Sequence, residues 1–140
     1  MDDAAGAAGR TIDVLGVKKN MLVQEIGWDE DSDSSISEAI EQFLGEDLLE
    51  DDTDEVVDIV LYWFREDDGD LVDGLVDAIR PLNEEGCIWL LTPGAGRPGA
   101  LEAGVIDESA QLAGLVGTSA VRLGEWQGNC LVPRGSKRPS

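Results

Sequence analysis

Residues 56–92, VVDIVLYWFREDDGDLVDGLVDAIRPLNEEGCIWLLT, decide the fold. Val56 to Phe64 is a near-continuous apolar run, the pattern of a strand buried on both faces of a sheet. Arg65 to Gly69 is a polar loop, and Asp70 is a natural helix cap. Leu71, Val72, Leu75, Val76 and Ile79 then recur at the spacing of one helix face. Pro81 and Gly86 bracket the helix end, and Cys87 to Thr92 reads as a second doubly buried strand. A strand, a helix and a strand in that order imply parallel strands joined by a right-handed crossover.

The pattern extends outward in both directions. Upstream, Met21 to Ile26 is a strand candidate, followed by the acid-rich stretch from Trp28 to Ser35. Ser35, with Glu38 three residues on, suits a capping box, and Ile36, Ala39, Ile40, Phe43 and Leu44 have helical spacing before a stop at Gly45. Residues 46–55 form an acidic connector. Downstream, the loop Pro93-Gly94-Ala95-Gly96-Arg97-Pro98-Gly99 precedes a weaker helix over Ile106–Leu115. Strands around Thr118–Leu123 and Asn129–Val132 follow, joined by a turn near residues 125–128 and therefore antiparallel neighbours. The expected architecture is a three-layer α/β/α sandwich, with a mostly parallel sheet of about five strands and a C-terminal antiparallel hairpin. One domain over residues 11–134 is expected, between a disordered tail at 1–10 and a basic tail at 135–140. Thr11 to Val17 is expected to cover the exposed edge of the first strand; otherwise that edge could pair with a second copy or another protein.

Composition narrows function. Thirty acidic against ten basic residues give a formal net charge of −20, which repels phosphate backbones and anionic membranes. Histidine is absent, which removes the commonest general base and zinc ligand. No apolar run reaches the length of a membrane helix, and the acidic start lacks the features of a secretory signal, so a cytoplasmic protein is expected. Cys87 and Cys130 lie in apolar runs and are expected as buried free thiols. The acid clusters at 29–33 and 67–70 fit no EF-hand spacing, so they read as solvated helix-start charge and no metal is expected. Residues 131–136 spell a thrombin-like sequence, to which no function is assigned.

Two resemblances follow. The stretch from Gly16 to Gly27, the unit at 58–92 and the terminal hairpin together resemble the Rossmann-like S-adenosylmethionine methyltransferases. That family continues its first strand into further glycines, which let the backbone approach the cofactor. Here Trp28, Asp29 and Glu30 stand at those positions. No counterpart exists for the ribose-binding carboxylate after the second strand. Between Gly45 and Val56 there is too little chain for the missing strand–helix–strand, so the sheet looks like a methyltransferase sheet without its second and third strands. S-adenosylmethionine is not expected to bind, and no other cofactor is implied. The boxes QEIGWDED (24–31), VVDIVLYWF (56–64) and WLLTPGAGRPG (89–99) are more closely similar to an uncharacterised actinobacterial domain-of-unknown-function family. That resemblance spans Gly16 to Pro133 and brings no activity with it.

In open parallel sheets, ligands bind outside the carboxyl ends of the strands. Three loops are expected there, so the candidate ligand residues are Trp28, Asp29, Glu30, Arg65, Thr92, Gly94, Gly96, Arg97 and Gly99. Arg65 and Arg97 could hold an anion bidentately, with the glycine amides beside it. The competing reading pairs Arg97 with a neighbouring acid. Trp63 and Trp89 are expected in the core, and Trp28 on a contact surface. Three functions stay open. The leading one is a non-catalytic module binding a protein partner or small ligand at the carboxyl edge. The others are a small enzyme on an anionic metabolite using Asp29, Glu30 and Arg97, and an acidic mimic of nucleic acid that binds a basic protein.

Overall fold

In the computed structural model, which describes residues 3–50, 53–94, 96–102 and 104–134, nine elements follow one another. They are α1 (Asp3–Leu15), β1 (Val23–Ile26), α2 (Ser34–Leu44), β2 (Val57–Trp63), α3 (Leu71–Ile79), β3 (Leu82–Pro93), α4 (Val105–Leu112), β4 (Leu115–Leu123) and β5 (Trp126–Pro133). The sheet order is β1-β2-β3-β5-β4. β1, β2 and β3 are parallel, while β5 runs antiparallel to both β3 and β4. This is the expected mixed α/β sheet with its terminal hairpin.

The apolar runs explain the layers. Alternate residues of β2 and β3 face opposite sides, and each side meets its own helices. Ile59, Leu61, Trp63, Trp89 and Leu91 pack with Ile12 and Leu15 of α1 and Ile36 and Ile40 of α2. Val60, Tyr62, Ile88 and Leu90 pack with Leu71 and Leu75 of α3 and Ala110 of α4. Cys87 and Cys130 are buried and form no disulfide, as expected. Among the described residues no helix is long and apolar enough to cross a membrane.

Five local expectations need correction. The disordered tail at 1–10 is replaced, from Asp3 onward, by α1. Its alanines are strong helix formers, and Ile12 and Leu15 dock it on the sheet, where Leu15 O accepts from Trp89 Nε1 at 2.9 Å. The N-cap of α2 is Asp33 rather than Ser35: its carboxylate accepts from the Ser35 N–H, and the Ser35 hydroxyl donates to it as well. β3 begins at Leu82 and β4 at Leu115, both earlier than their apolar runs announce, because pairing with a neighbouring strand extends them. The hairpin turn falls on Gly124 and Glu125 rather than 125–128, and Trp126 is already in β5. Finally, the edge of β1 is met by the connector instead of residues 11–17. Leu49 N donates to Val23 O at 2.9 Å and Glu25 N to Leu49 O at 3.0 Å. One bridging residue stands where the sequence lacks room for a whole strand. The basic tail at 135–140 and Ala95 of the glycine loop lie outside the described residues.

Candidate functional site

The strand register brings the carboxyl ends of β1, β2 and β3 level, since Ile26 pairs with Tyr62 and Tyr62 with Leu90. The Gly124–Glu125 turn comes up beside them because Trp126 pairs with Pro93. Four loops therefore share one rim. Gly27 leaves β1 with φ +79°, and a Cβ there would lie 2.3 Å from Trp63 O. Close packing of two strand ends, rather than approach to a cofactor, is what requires glycine at this position.

Arg65 organises the rim. Its side chain is only 10% exposed. Nε donates to Asp31 Oδ2 at 3.1 Å and Nη2 to Asp31 Oδ1 at 2.5 Å, a bidentate pair. Nη2 also reaches Ser32 Oγ at 2.8 Å, while Nη1 reaches Gly27 O at 2.8 Å and Asp68 Oδ2 at 3.4 Å. A guanidinium carries five N–H groups, and these contacts engage all of them. The guanidinium also lies 5.2 Å from the Trp126 ring, which stacks edge-on against Trp63. Burial alone would lower the Arg65 pKa, but the hydrogen bonds and charges of Asp31 and Asp68 outweigh it and hold it above its ordinary value. The hydrogen bond from Arg65 correspondingly holds the Asp31 carboxyl below the usual carboxylate range.

The other nominated residues separate into neighbouring places. Asp29, Glu30, Arg65 and Gly99 line one cleft of about 440 Å³, together with Asp67 and Asp68. Its loop is folded on itself, with Asp29 N donating to Ser32 Oγ and Glu30 N to Asp29 Oδ1. Trp28 is 47% exposed and lines a second, wider cleft of about 820 Å³ with Glu25, Glu41, Asp47 and Glu50. Thr92 is buried and borders a third cleft with Gln127 and Asn129. Arg97 ion-pairs with Glu125 at 2.8 Å, and Gly94 N donates to Glu125 O at 2.9 Å. Gly96, at φ +84°, has open space around it. Asp31, Ser32 and Asp68 were read only as members of the acid clusters and not as partners of Arg65, because nothing in the sequence says which of many acids an arginine will choose. Glu25 was missed as well: it accepts from Trp63 Nε1 at 2.9 Å and from the Ser37 hydroxyl. Among the described residues no group of His, Cys, Asp and Glu converges as a metal site.

The fold is that of a methyltransferase-like α/β protein. Solved structures of similar fold include the pyocyanin biosynthetic protein PhzM, with a TM-score of 0.67 and 13% identity, covering 94% of this chain and 56% of that one. The chain thus spans about half of that protein's length. Another is a precorrin-6y C5,15-methyltransferase from Geobacter metallireducens, at TM-score 0.60 and 13% identity, covering 91% of this chain and 87% of that one. Identities this low speak for the fold alone. Residues 12–135 match the family described as protein of unknown function (DUF3052), and the chain belongs to that family. Uncharacterized proteins of Mycobacterium tuberculosis and Mycobacterium bovis are 50% identical over 134 residues, covering 96% of this chain and 85% of theirs.

Proposed function

We propose that this protein is a non-catalytic, cytoplasmic module whose carboxyl edge docks a basic segment of a partner protein, with Trp28 as the apolar anchor. The observation that carries this reading is the exposed Trp28, which lines one carboxylate-rich cleft and directly precedes Asp29 and Glu30 of another. Aromatic anchors dominate many interfaces, and a surrounding field of one sign steers a partner of the other. The same geometry weakens the anionic-ligand reading. Arg65 has its donors engaged within the chain, and Arg97 is paired with Glu125.

The reading leaves out S-adenosylmethionine, and the turn after β1 supports that choice. A cofactor cradle needs backbone that a ligand can approach. Here a Cβ at Gly27 would meet protein backbone, and the next positions carry the side chains of Trp28, Asp29 and Glu30. The residues present do not fit the group.

The test starts with affinity capture by the tagged full chain, followed by direct titration of each captured basic protein. Trp28→Ala is expected to weaken that binding at least tenfold at constant charge, and Asp29→Asn with Glu30→Gln to lower it further at low salt. Binding that ignores Trp28 would reduce the contact to charge attraction and overturn the docking surface. Saturable stabilisation by an anionic metabolite, lost in Arg97→Ala, would favour the enzyme reading instead.

A further inference from the structure

A separate cleft of about 570 Å³ opens on the α3 face of the sheet, beside β1. Its walls come from Gln24 and Ile26 of β1, residues 53–56 of the connector, and Asp77, Arg80 and Pro81 at the end of α3. Among the described residues, α3 borders this opening only through its C-terminal end, at Asp77 and Arg80.

Gln24 makes this cleft more than a patch of acids. The residue is 2% exposed. Its Nε2 donates to Glu50 O at 3.0 Å, which fixes the orientation of the amide. Oε1 is therefore an acceptor, and it has no hydrogen-bond partner among the described residues. A buried amide oxygen left without a donor is unfavourable, so the site is incomplete as it stands. Asp54, Glu55 and Asp77 supply carboxylates around the same opening. The only cation lining it among the described residues, Arg80, is a weak counterweight: its ion pair with Asp77 spans 3.8 Å and both side chains are more than 70% exposed. Val56, 62% exposed, and Pro81 offer an apolar wall along which an alkyl stem can lie.

We propose that this cleft is a second binding site, taking a guanidinium or ammonium group on an alkyl stem. The group donates to Gln24 Oε1 and is neutralised by Asp54, Glu55 and Asp77. The same chemistry is carried by an arginine or lysine side chain and by a free alkylamine. The proposal stands apart from the carboxyl-edge reading, since neither Trp28 nor the rim loops take part.

The test is a titration of the isotopically labelled full chain, followed by backbone and side-chain amide signals in two arms. One arm uses a capped arginine amide, the other butane-1,4-diamine, each against sodium chloride at matched ionic strength. Saturable shifts are expected at the Gln24 side-chain amide, Val56 and Arg80, with the Trp28 indole signal unmoved. Glu55→Gln with Asp77→Asn leaves the Gln24–Glu50 hydrogen bond intact and is expected to weaken binding at least tenfold. Gln24→Leu is expected to abolish it. Saturation by the arginine amide alone assigns the site to a polypeptide side chain, and saturation by the diamine alone assigns it to a free amine. Shifts reproduced by sodium chloride, or an affinity unchanged in the carboxylate variant, would overturn the site. Shifts confined to the Trp28 region would overturn it while leaving the carboxyl-edge reading in place.

Discussion

Arg65 ties the loop between β1 and α2 to its own loop between β2 and α3. Its contacts reach Gly27 after β1, Asp31 and Ser32 before α2, and Asp68 before α3. Arg65→Ala is therefore expected to lower unfolding free energy by about 2 kcal/mol, the size of hydrogen bonds to charged groups lost from a mostly buried position. Arg65→Lys should recover only part of it, because an ammonium lacks the planar fork. Urea denaturation of the three proteins measures both. The pH dependence follows from the sign at Asp31. Its carboxyl is held below the ordinary 3.8, so the stabilisation is present above that value and lost as pH falls through the lowered one. The stability gap between wild type and Arg65→Ala should stay level near neutrality and narrow below about pH 4. A gap that ignores acidification would place the role of Arg65 in packing alone. At Gly27, alanine would have to hold φ +79° with its Cβ 2.3 Å from Trp63 O. Backbone strain of about 1–3 kcal/mol is expected before the clash is counted, and the denaturation midpoint of Gly27→Ala reads it.

Among the elements, the start of α3 was read correctly, and the helix starts carry sharp tests. Asp70 caps α3 as its sequence position announces. For α2 the cap moved two residues, from Ser35 to Asp33, because both side-chain types suit the position and only the backbone turn selects one. Asp33→Ala should cost about 1 kcal/mol, and Ser35→Ala clearly less. The reverse order would restore the serine cap. Gly74 inside α3 is a helix weakness that propensity alone would mend with alanine. The tertiary structure says otherwise: a Cβ there would lie 1.9 Å from the hydroxyl of Tyr62. Gly74→Ala is expected to destabilise by about 1–3 kcal/mol through overpacking. Tyr62→Phe in the same chain should relieve part of that loss, and no coupling between the two in thermal unfolding would refute the contact. α1 escaped notice because alanine and glycine carry almost no amphipathic pattern, although Ile12 and Leu15 still seat it.

At the scale of the whole molecule, charge is the dominant property. Thirty carboxylates against ten cations repel one another in the folded state more than in an expanded one. Melting temperature is expected to rise as salt goes from about 0.01 M to about 1 M, where the screening length falls from about 30 Å to about 3 Å. A flat or falling curve would mean that local ion pairs such as Arg65–Asp31 outweigh the general repulsion. The amino-acid sequence by itself determined the sandwich. Doubly buried strand runs, the helical stripe at 71–79 and the short chain between Gly45 and Val56 leave few other arrangements, since burial of apolar faces follows residue spacing. It also determined which loops meet at the carboxyl rim, because parallel crossovers put them there. Only the tertiary structure decided what those loops do. Whether an arginine faces a ligand or a carboxylate depends on partners 34 residues away, as Asp31 and Arg65 are. Likewise, Gln24 looks like any polar strand residue until the folded chain leaves its oxygen buried beside a cleft. Spacing encodes faces and ends; long-range contacts select partners, and those exist only once the chain has closed on itself.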